Sequence, residues 1–188
     1  TGNFGIMGVL SFNGNKLITT GGGGMIITNN EEIAINAKHL TTTAKVPHDY
    51  EFIHDQIGYN YRMPNINASL GCAQMENLSN FLDEKLKVTK RWKEFFNEWG
   101  VHFLQPEDGN RSNFWLNTII LDSKEQRDNF LEFTNKNGVM TRPIWTLMSK
   151  LDMYKDFYND GLENSLWLED RVVNIPSSVP SDFNEVQN

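Results

Sequence analysis

The chain has 188 residues and a formal net charge of −7, because 24 Asp and Glu outnumber 17 Lys and Arg. This acidic balance argues against nucleic acid and anionic membranes as partners, since both attract basic surfaces. With 39% hydrophobic residues the chain can bury a core, and its length predicts one domain or parts of two. The single cysteine, Cys72, excludes an intrachain disulfide and favours a reducing, cytoplasmic location.

The first forty residues predict two strands and a helix. Apolar runs at 6–12 and 25–28 are typical of buried strands, and a tight turn at 13–15 and a glycine run at 21–24 lie between them. Asn30, followed by Glu31 and Glu32, is typical of a helix N-terminus and predicts a helix to about residue 40. Because the chain opens in the middle of an apolar stretch, we expect it to be the C-terminal part of a longer polypeptide.

Residues 41–64 form a long polar and aromatic segment, which predicts a functional loop. One long helix is expected from residue 65 toward 99, with Gly100 as its stop. Strands are expected near 101–104, 114–121 and 139–145, and helices from the capping pair Ser123 and Gln126 to Gly138 and over 166–173. This half therefore predicts an α+β module with a small mixed sheet and helices on one face.

Lys16 is the first candidate for chemistry, because it follows a buried strand within a glycine-rich turn. A desolvated lysine has a lowered pKa, and its neutral amine can form a Schiff base. Local composition alone favours the simpler alternative of a lysine that reaches solvent at a strand end. A phosphate-binding Walker loop is excluded, because Lys16 precedes the glycines that it would have to follow.

The loop at 41–64 offers groups that bind anions and stack on rings, since Arg62 presents a planar fork and the tyrosines present aromatic faces. A metal site is not favoured, because the spacing of its histidines and aspartates matches no known ligand pattern. Cys72 is expected to be a small buried hydrophobe rather than a nucleophile. The candidate loop residues are His48, Asp49, His54, Asp55, Tyr59, Asn60, Tyr61 and Arg62.

Four stretches, SFNGNKLITTGGGGMIITN, HDQIGYNYRMPNINASLGCAQ, GVMTRPIWTLM and VNIPSS, resemble the DegT/DnrJ/StrS family of nucleotide-sugar aminotransferases. The resemblance covers nearly the whole chain. It implies an α/β fold, the C-terminal part of a fold type I pyridoxal-phosphate-dependent transferase. Residues 1–74 would end the large cofactor-binding domain, with the Schiff-base lysine and an interface loop. Residues 75–188 would form a long connecting helix and the small α/β domain.

The resemblance also implies a role for individual residues. Lys16 would form a Schiff base with pyridoxal 5'-phosphate and carry a proton, and Ser11 would bind the cofactor phosphate. Asn60 would reach across a homodimer interface to the cofactor phosphate of the partner subunit, so that active sites are shared. Arg62 and Tyr61 would lie near the nucleotide sugar, although packing explains Tyr61 equally well. The aspartate that pairs with the pyridine nitrogen in the family lies upstream of the lysine and has no counterpart here.

The finer resemblance, carried by TTTAKVPH and GVMTRPIWTLM, is to enzymes that aminate UDP-2-acetamido-2,6-dideoxy-4-hexulose with L-glutamate in nonulosonic acid biosynthesis. A lysine at position 16, where dehydratases of the family have histidine, argues for transamination. A GDP-linked or 3-keto sugar is the alternative substrate. A non-catalytic scaffold or binding fragment is the alternative function, and Arg142 and Trp145 are expected to be structural.

Overall fold

The computed structural model describes residues 2–179, which divide into two compact units. The first unit ends at Ser79 and the second begins at Asn80. No helix in the described part of the chain is long and apolar enough to cross a membrane. The ranges 1–74 and 75–188, implied by the family resemblance for the domains of the whole protein, stay predictions.

The first unit opens with an antiparallel hairpin of β1 (Gly8–Ser11) and β2 (Gly24–Ile27), at the two places where strands are predicted. Val9 pairs with Ile26 and Leu10 pairs with Met25. Because neighbouring side chains of a strand point to opposite faces, both faces of the hairpin are apolar. All four side chains are exposed, and Val9 keeps 75% of its surface open.

Helix α1 (Glu31–Thr41) begins as predicted, because the Asn30 side chain accepts a hydrogen bond from Ile33 N at 3.0 Å. The following segment contains two strands of two residues each, β3 (Lys45–Val46) and β4 (Ile53–His54), which pair antiparallel. The sequence predicts a loop in this segment and not these strands, because strands this short show no alternation of apolar and polar residues.

Two helices, α2 (Asn65–Glu76) and α3 (Leu78–Glu98), replace the single helix predicted over 65–99. At the break, Asn77 uses its side-chain amide rather than its backbone N–H to donate to Ala73 O, at 2.9 Å. Asparagine competes in this way with the helical hydrogen bond four residues back. The predicted stop is confirmed, since Gly100 has φ +66° and Val101 N donates to Phe96 O at 3.0 Å.

The elements of the second unit that follow α3 are β5 (His102–Phe103), β6 (Asn117–Ile120), α4 (Lys124–Lys136), β7 (Arg142–Pro143), a 3₁₀ helix (Met148–Lys150), α5 (Glu163–Glu169) and β8 (Val172–Ile175). The strands form a four-stranded sheet in the order β5-β6-β8-β7. Every neighbouring pair is antiparallel, so the prediction of a mixed sheet is wrong. Helices α4 and α5 and the short 3₁₀ helix complete the unit, and Ser123 caps α4 as predicted.

The core of the second unit lies between α3, α4 and the two central strands. Its buried members are Phe96, Phe103, Ile119, Leu121, Val173 and Ile175. The helix predicted over 166–173 ends at Glu169, and the last residues of that range begin the central strand β8. An apolar run buried on both faces has no period of two, which explains why the sequence pattern did not reveal a strand there.

Candidate functional site

Lys16 lies in the loop that joins β1 to β2, and hydrogen bonds close the base of this loop. Phe12 N donates to Gly23 O at 3.0 Å, and Phe12 O accepts from Thr20 N at 3.1 Å and from the Thr19 hydroxyl at 3.1 Å. Within the loop, Lys16 N donates to Asn13 O at 3.0 Å, which forms the predicted turn. The Lys16 side chain is half-buried. The lysine is therefore presented on a closed turn rather than on a free strand end.

Helix α2 ties this loop down from one side. The Asn67 side-chain amide donates to Thr20 O at 2.5 Å, and Gln74 Oε1 accepts from Thr19 N at 3.5 Å. Gly71 lies against Thr20, where an added Cβ would be 2.9 Å from the Thr20 methyl group. Thr20 is only 2% exposed. Sequence reasoning missed Asn67 and Gln74, because polar residues on a helix surface give no sign of what they contact.

Ser11 ends β1 and is exposed, five residues before Lys16. It pairs with Gly24, where a Cβ would lie 2.5 Å from Leu10 O, so the strand opposite Ser11 has no room for a side chain at that position. Ser11 Oγ accepts a long hydrogen bond of 3.4 Å from Asn13 N, and a hydroxyl can donate one as well. Ser11 and Lys16 therefore lie at the same end of the β1–β2 hairpin.

Asn60 lies in a backbone segment that is hydrogen-bonded to the C-terminal end of α1. Tyr59 N donates to Leu40 O at 2.7 Å, Tyr61 N donates to Thr41 O at 2.9 Å, and Asn60 bridges to Thr42. The rings of Tyr59 and Tyr61 stack at 5.2 Å with 14° between their planes, which places them on one face. In an extended segment the side chain between them points to the other face.

The side chains of Asn60, Tyr61 and Arg62 are all exposed, so their polar groups are open to a ligand. The helix that fixes the Lys16 loop, α2, begins three residues after Arg62. The first unit thus holds all five site residues predicted from the sequence: Ser11, Lys16, Asn60, Tyr61 and Arg62.

The histidines of this unit make separate local contacts. His39 Nε2 donates to Asp55 Oδ1 at 2.6 Å, and His54 Nδ1 donates to Thr43 O at 2.7 Å. His48 Nδ1 accepts from Glu51 N at 3.0 Å. Among residues 2–179 no three His, Cys, Asp or Glu side chains are grouped closely enough to hold a metal ion.

Cys72 is exposed, so the prediction of a buried cysteine is wrong. Its neighbour Gly71 takes the position that faces Thr20. Consecutive residues of a helix point about 100° apart, which turns Cys72 away from that contact.

The VNIPSS stretch of the second unit is held by α3. Lys85 Nζ donates to Ser177 O at 2.6 Å and to Trp115 O at 3.4 Å, and Trp92 Nε1 donates to Pro176 O at 2.8 Å. Burial lowers the pKa of the Lys85 ammonium below the usual value for lysine. These contacts hold the end of β8 and the residues after it against α3, so the stretch has a structural role.

The two residues of the TRPIW stretch singled out from the sequence are both exposed. Arg142 lies on the edge strand β7. Trp145 is 69% exposed and stacks on Trp115, with ring centroids 6.3 Å apart.

Comparison with solved structures defines the class of fold. The chain matches the PseC aminotransferase of Helicobacter pylori, described as involved in pseudoaminic acid biosynthesis, with a TM-score of 0.89 and 22% identity, over 100% of this chain and 52% of that one. It also matches an E. coli GDP-4-keto-6-deoxy-D-mannose-3-dehydratase with bound hydrated PLP, with a TM-score of 0.81 and 22% identity, over 99% and 54%. The fold is that of the fold type I pyridoxal-phosphate-dependent transferases.

The chain belongs to the DegT/DnrJ/EryC1/StrS aminotransferase family, whose model matches residues 1–188. It is 32% identical to the GDP-perosamine synthase of Escherichia coli O157:H7, over 98% of this chain and 50% of the relative. It is 23% identical to the UDP-4-amino-4,6-dideoxy-N-acetyl-beta-L-altrosamine transaminase of Helicobacter pylori, over 100% and 51%. The chain thus spans about half the length of these curated relatives.

The first unit has groups that fit pyridoxal phosphate. Lys16 supplies a primary amine on an anchored turn, and Ser11 supplies an exposed hydroxyl at a hairpin end where Gly24 leaves no side chain opposite. Asn60 supplies an exposed amide on a fixed backbone segment. Amine, hydroxyl and amide are the groups needed to bond an aldehyde and a phosphate.

Proposed function

We propose that this chain carries the Schiff-base lysine of a pyridoxal-phosphate-dependent nucleotide-sugar aminotransferase. The observation that carries the proposal is the position of Lys16, on a turn closed at its base and tied to α2 through Asn67. Membership of an aminotransferase family over the whole chain supports it. A cytoplasmic location, favoured by the single cysteine, is part of the same proposal.

The reaction exchanges an amino group for a keto oxygen between two substrates. L-glutamate becomes 2-oxoglutarate, and the nucleotide-linked keto sugar becomes an amino sugar, so the atoms balance over the two halves. Pyridoxal phosphate, when bound, supplies an electron sink for the carbon that loses its proton. The Lys16 amine takes that proton from the donor in one half-reaction and returns a proton to the sugar carbon in the other.

Two further residues would hold the cofactor phosphate. Ser11 would donate its hydroxyl from the same hairpin that presents Lys16. Asn60 would donate its amide to the phosphate bound by a second copy of the protein, so the active form would be a homodimer with shared sites. Arg62 would contact the phosphates of the nucleotide sugar, because its guanidinium can form two parallel hydrogen bonds to such groups. Tyr61 would lie beside the same substrate.

The first substrate we propose is UDP-2-acetamido-2,6-dideoxy-4-hexulose, as an intermediate in nonulosonic acid biosynthesis. The name of the Helicobacter pylori transaminase supports a UDP-linked sugar, although the identity is 23%. The second candidate is a GDP-linked keto sugar, which the name of the GDP-perosamine synthase supports at 32% identity.

The test is an amine-transfer assay on the purified protein with pyridoxal phosphate, L-glutamate and a panel of UDP- and GDP-linked 4-keto-6-deoxy sugars. We expect 2-oxoglutarate to form in proportion to one class of amino sugar. Lys16→Ala should abolish turnover, while Lys38→Ala, which changes an exposed lysine of α1, should keep it. Turnover that survives Lys16→Ala contradicts the proposal, and no turnover with any sugar favours the scaffold alternative.

A further inference from the structure

The C-terminal end of α1 is completed by a distant part of the chain. Thr43 and Ala44 have left-handed backbone conformations, with φ of 70° and 50°, and Ala44 N donates to His39 O at 2.8 Å. This is one of the two hydrogen bonds of a Schellman motif. The other would join Thr43 N to Leu40 O.

The peptide of Tyr59 replaces that second hydrogen bond. Tyr59 N donates to Leu40 O at 2.7 Å, and Tyr59 O accepts from Thr43 N at 3.0 Å. Both groups of the helix end, Leu40 O and Thr43 N, are therefore satisfied by Tyr59, which lies nineteen and sixteen positions further along the chain. Since Tyr59 precedes Asn60, the backbone of the proposed phosphate-binding residue is part of the helix cap.

Two side-chain contacts hold the preceding residues to the same helix end. His39, on the last turn of α1, donates to the Asp55 carboxylate at 2.6 Å. His54 donates to Thr43 O at 2.7 Å. The His39 side chain is 24% exposed and that of Asp55 is 49% exposed, so the pair lies at the edge of the unit. Only a short stretch of chain then separates Asp55 from Tyr59, and a short stretch pinned at both ends has little freedom.

We propose that His39 and Asp55 are positioning residues, which hold the Asn60 segment in the geometry by which it binds the cofactor phosphate. This inference rests on the function proposed above. We propose no contact of His39 or Asp55 with the cofactor or the substrate. It acts through the backbone of Asn60, by keeping the segment bonded to the end of α1.

The first experiment compares Asp55→Ala with Asp55→Asn in the holoenzyme. Asparagine keeps a side-chain oxygen that can accept the hydrogen bond from His39, whereas alanine removes this acceptor. Because a partly exposed pair contributes modestly, we expect Asp55→Ala to weaken the affinity for pyridoxal phosphate about fivefold in a titration followed by absorbance. Asp55→Asn should stay within about twofold of the wild type. Equal losses in both variants would overturn the proposal.

A second readout separates local release from general unfolding. Amide hydrogen exchange of Tyr59 and Tyr61 should quicken in Asp55→Ala, because their bonds to α1 open more often. Exchange of Thr20, which bonds to Phe12 in the hairpin loop, should not change. Unchanged exchange at Tyr59 and Tyr61 would show that the pair does not hold the segment.

A double-mutant cycle tests whether the pair acts through Asn60. If the pair acts through Asn60, the variant Asn60→Ala and the double variant Asn60→Ala, Asp55→Ala should bind pyridoxal phosphate with equal affinity. The reason is that the Asn60 amide, which the pair positions, is already absent. Additive losses, or wild-type affinity in Asn60→Ala, would overturn the inference. The proposed function fails separately, if the wild-type holoenzyme forms no borohydride-stable bond between Lys16 and the cofactor.

Discussion

Gly58 packs directly on the left-handed backbone at the end of α1. An added Cβ would lie 2.4 Å from Thr43 C and 2.5 Å from Ala44 N, and backbone atoms cannot rotate away. We therefore expect Gly58→Ala to lower the free energy of unfolding by about 1–3 kcal/mol, as overpacked sites do. Urea unfolding measures this. Gly22→Ala is the control, because nothing lies within 4 Å of the added methyl group, and equal stability of the two variants would contradict the prediction.

Lys85 makes stability depend on pH in the alkaline range. Burial lowers its pKa, so the folded protein loses this proton at a lower pH than the unfolded chain. Between the two pKa values the unfolded chain binds more protons, and the contribution of Lys85 to the free energy of unfolding rises with pH. This increase in the free energy of unfolding occurs at pH values just below about 10.4 and is absent at neutral pH.

Lys85→Met removes the titrating group and so isolates this effect. The wild-type free energy of unfolding minus that of the variant should grow as the pH rises toward about 10.4 in urea titrations. A difference that stays constant or shrinks over this range would show that burial does not disfavour the charged amine.

At the scale of elements, α2 is the support of the Lys16 loop. Asn67→Ala removes the donor to the Thr20 carbonyl, and an unpaired buried carbonyl costs about 1–3 kcal/mol. We expect a loss of that size in urea unfolding and slower formation of the Lys16–cofactor bond. Ser69→Ala on the same helix is the matched control, since its hydroxyl bonds only within α2. A similar loss in both variants would mean that helix stability, not the contact with the loop, is responsible.

The elements that could be predicted are those with a local chemical signal. Asn30 and Ser123 cap their helices as the sequence indicates, and Gly100 ends α3. The break at Asn77 could not be predicted, because its side-chain bond to Ala73 O competes with a helix that the apolar pattern favours. Strand β8 was missed for another reason, since it is buried along almost its whole length and so lacks alternation.

At the scale of the molecule, two of the four motifs, at residues 11–29 and 54–74, contact each other in the first unit. The Lys16 loop contacts α2, which begins just after Arg62, and the Asn60 segment caps α1. Motif resemblance predicts which residues carry chemistry, and that assignment stays a prediction. It could not predict Asn67, His39 or Asp55 as supports, because their roles depend on contacts between segments sixteen to forty-seven residues apart.

The apolar faces of β1 and β2 are a second property of the whole molecule. Hydrophobic side chains on both faces are typical of strands that are covered on both sides. In the described part of the chain Val9 is 75% exposed and Ile26 is 44% exposed, and the chain spans about half the length of the GDP-perosamine synthase that it matches.

The bond between Lys16 and the cofactor is the central claim, and one measurement tests it directly. The purified protein is incubated with pyridoxal phosphate, reduced with borohydride and mapped by peptide mass spectrometry. We predict one pyridoxyl group on Lys16, lost in Lys16→Ala and kept in Lys38→Ala. Label spread over exposed lysines, or label that is unchanged in Lys16→Ala, would contradict the account.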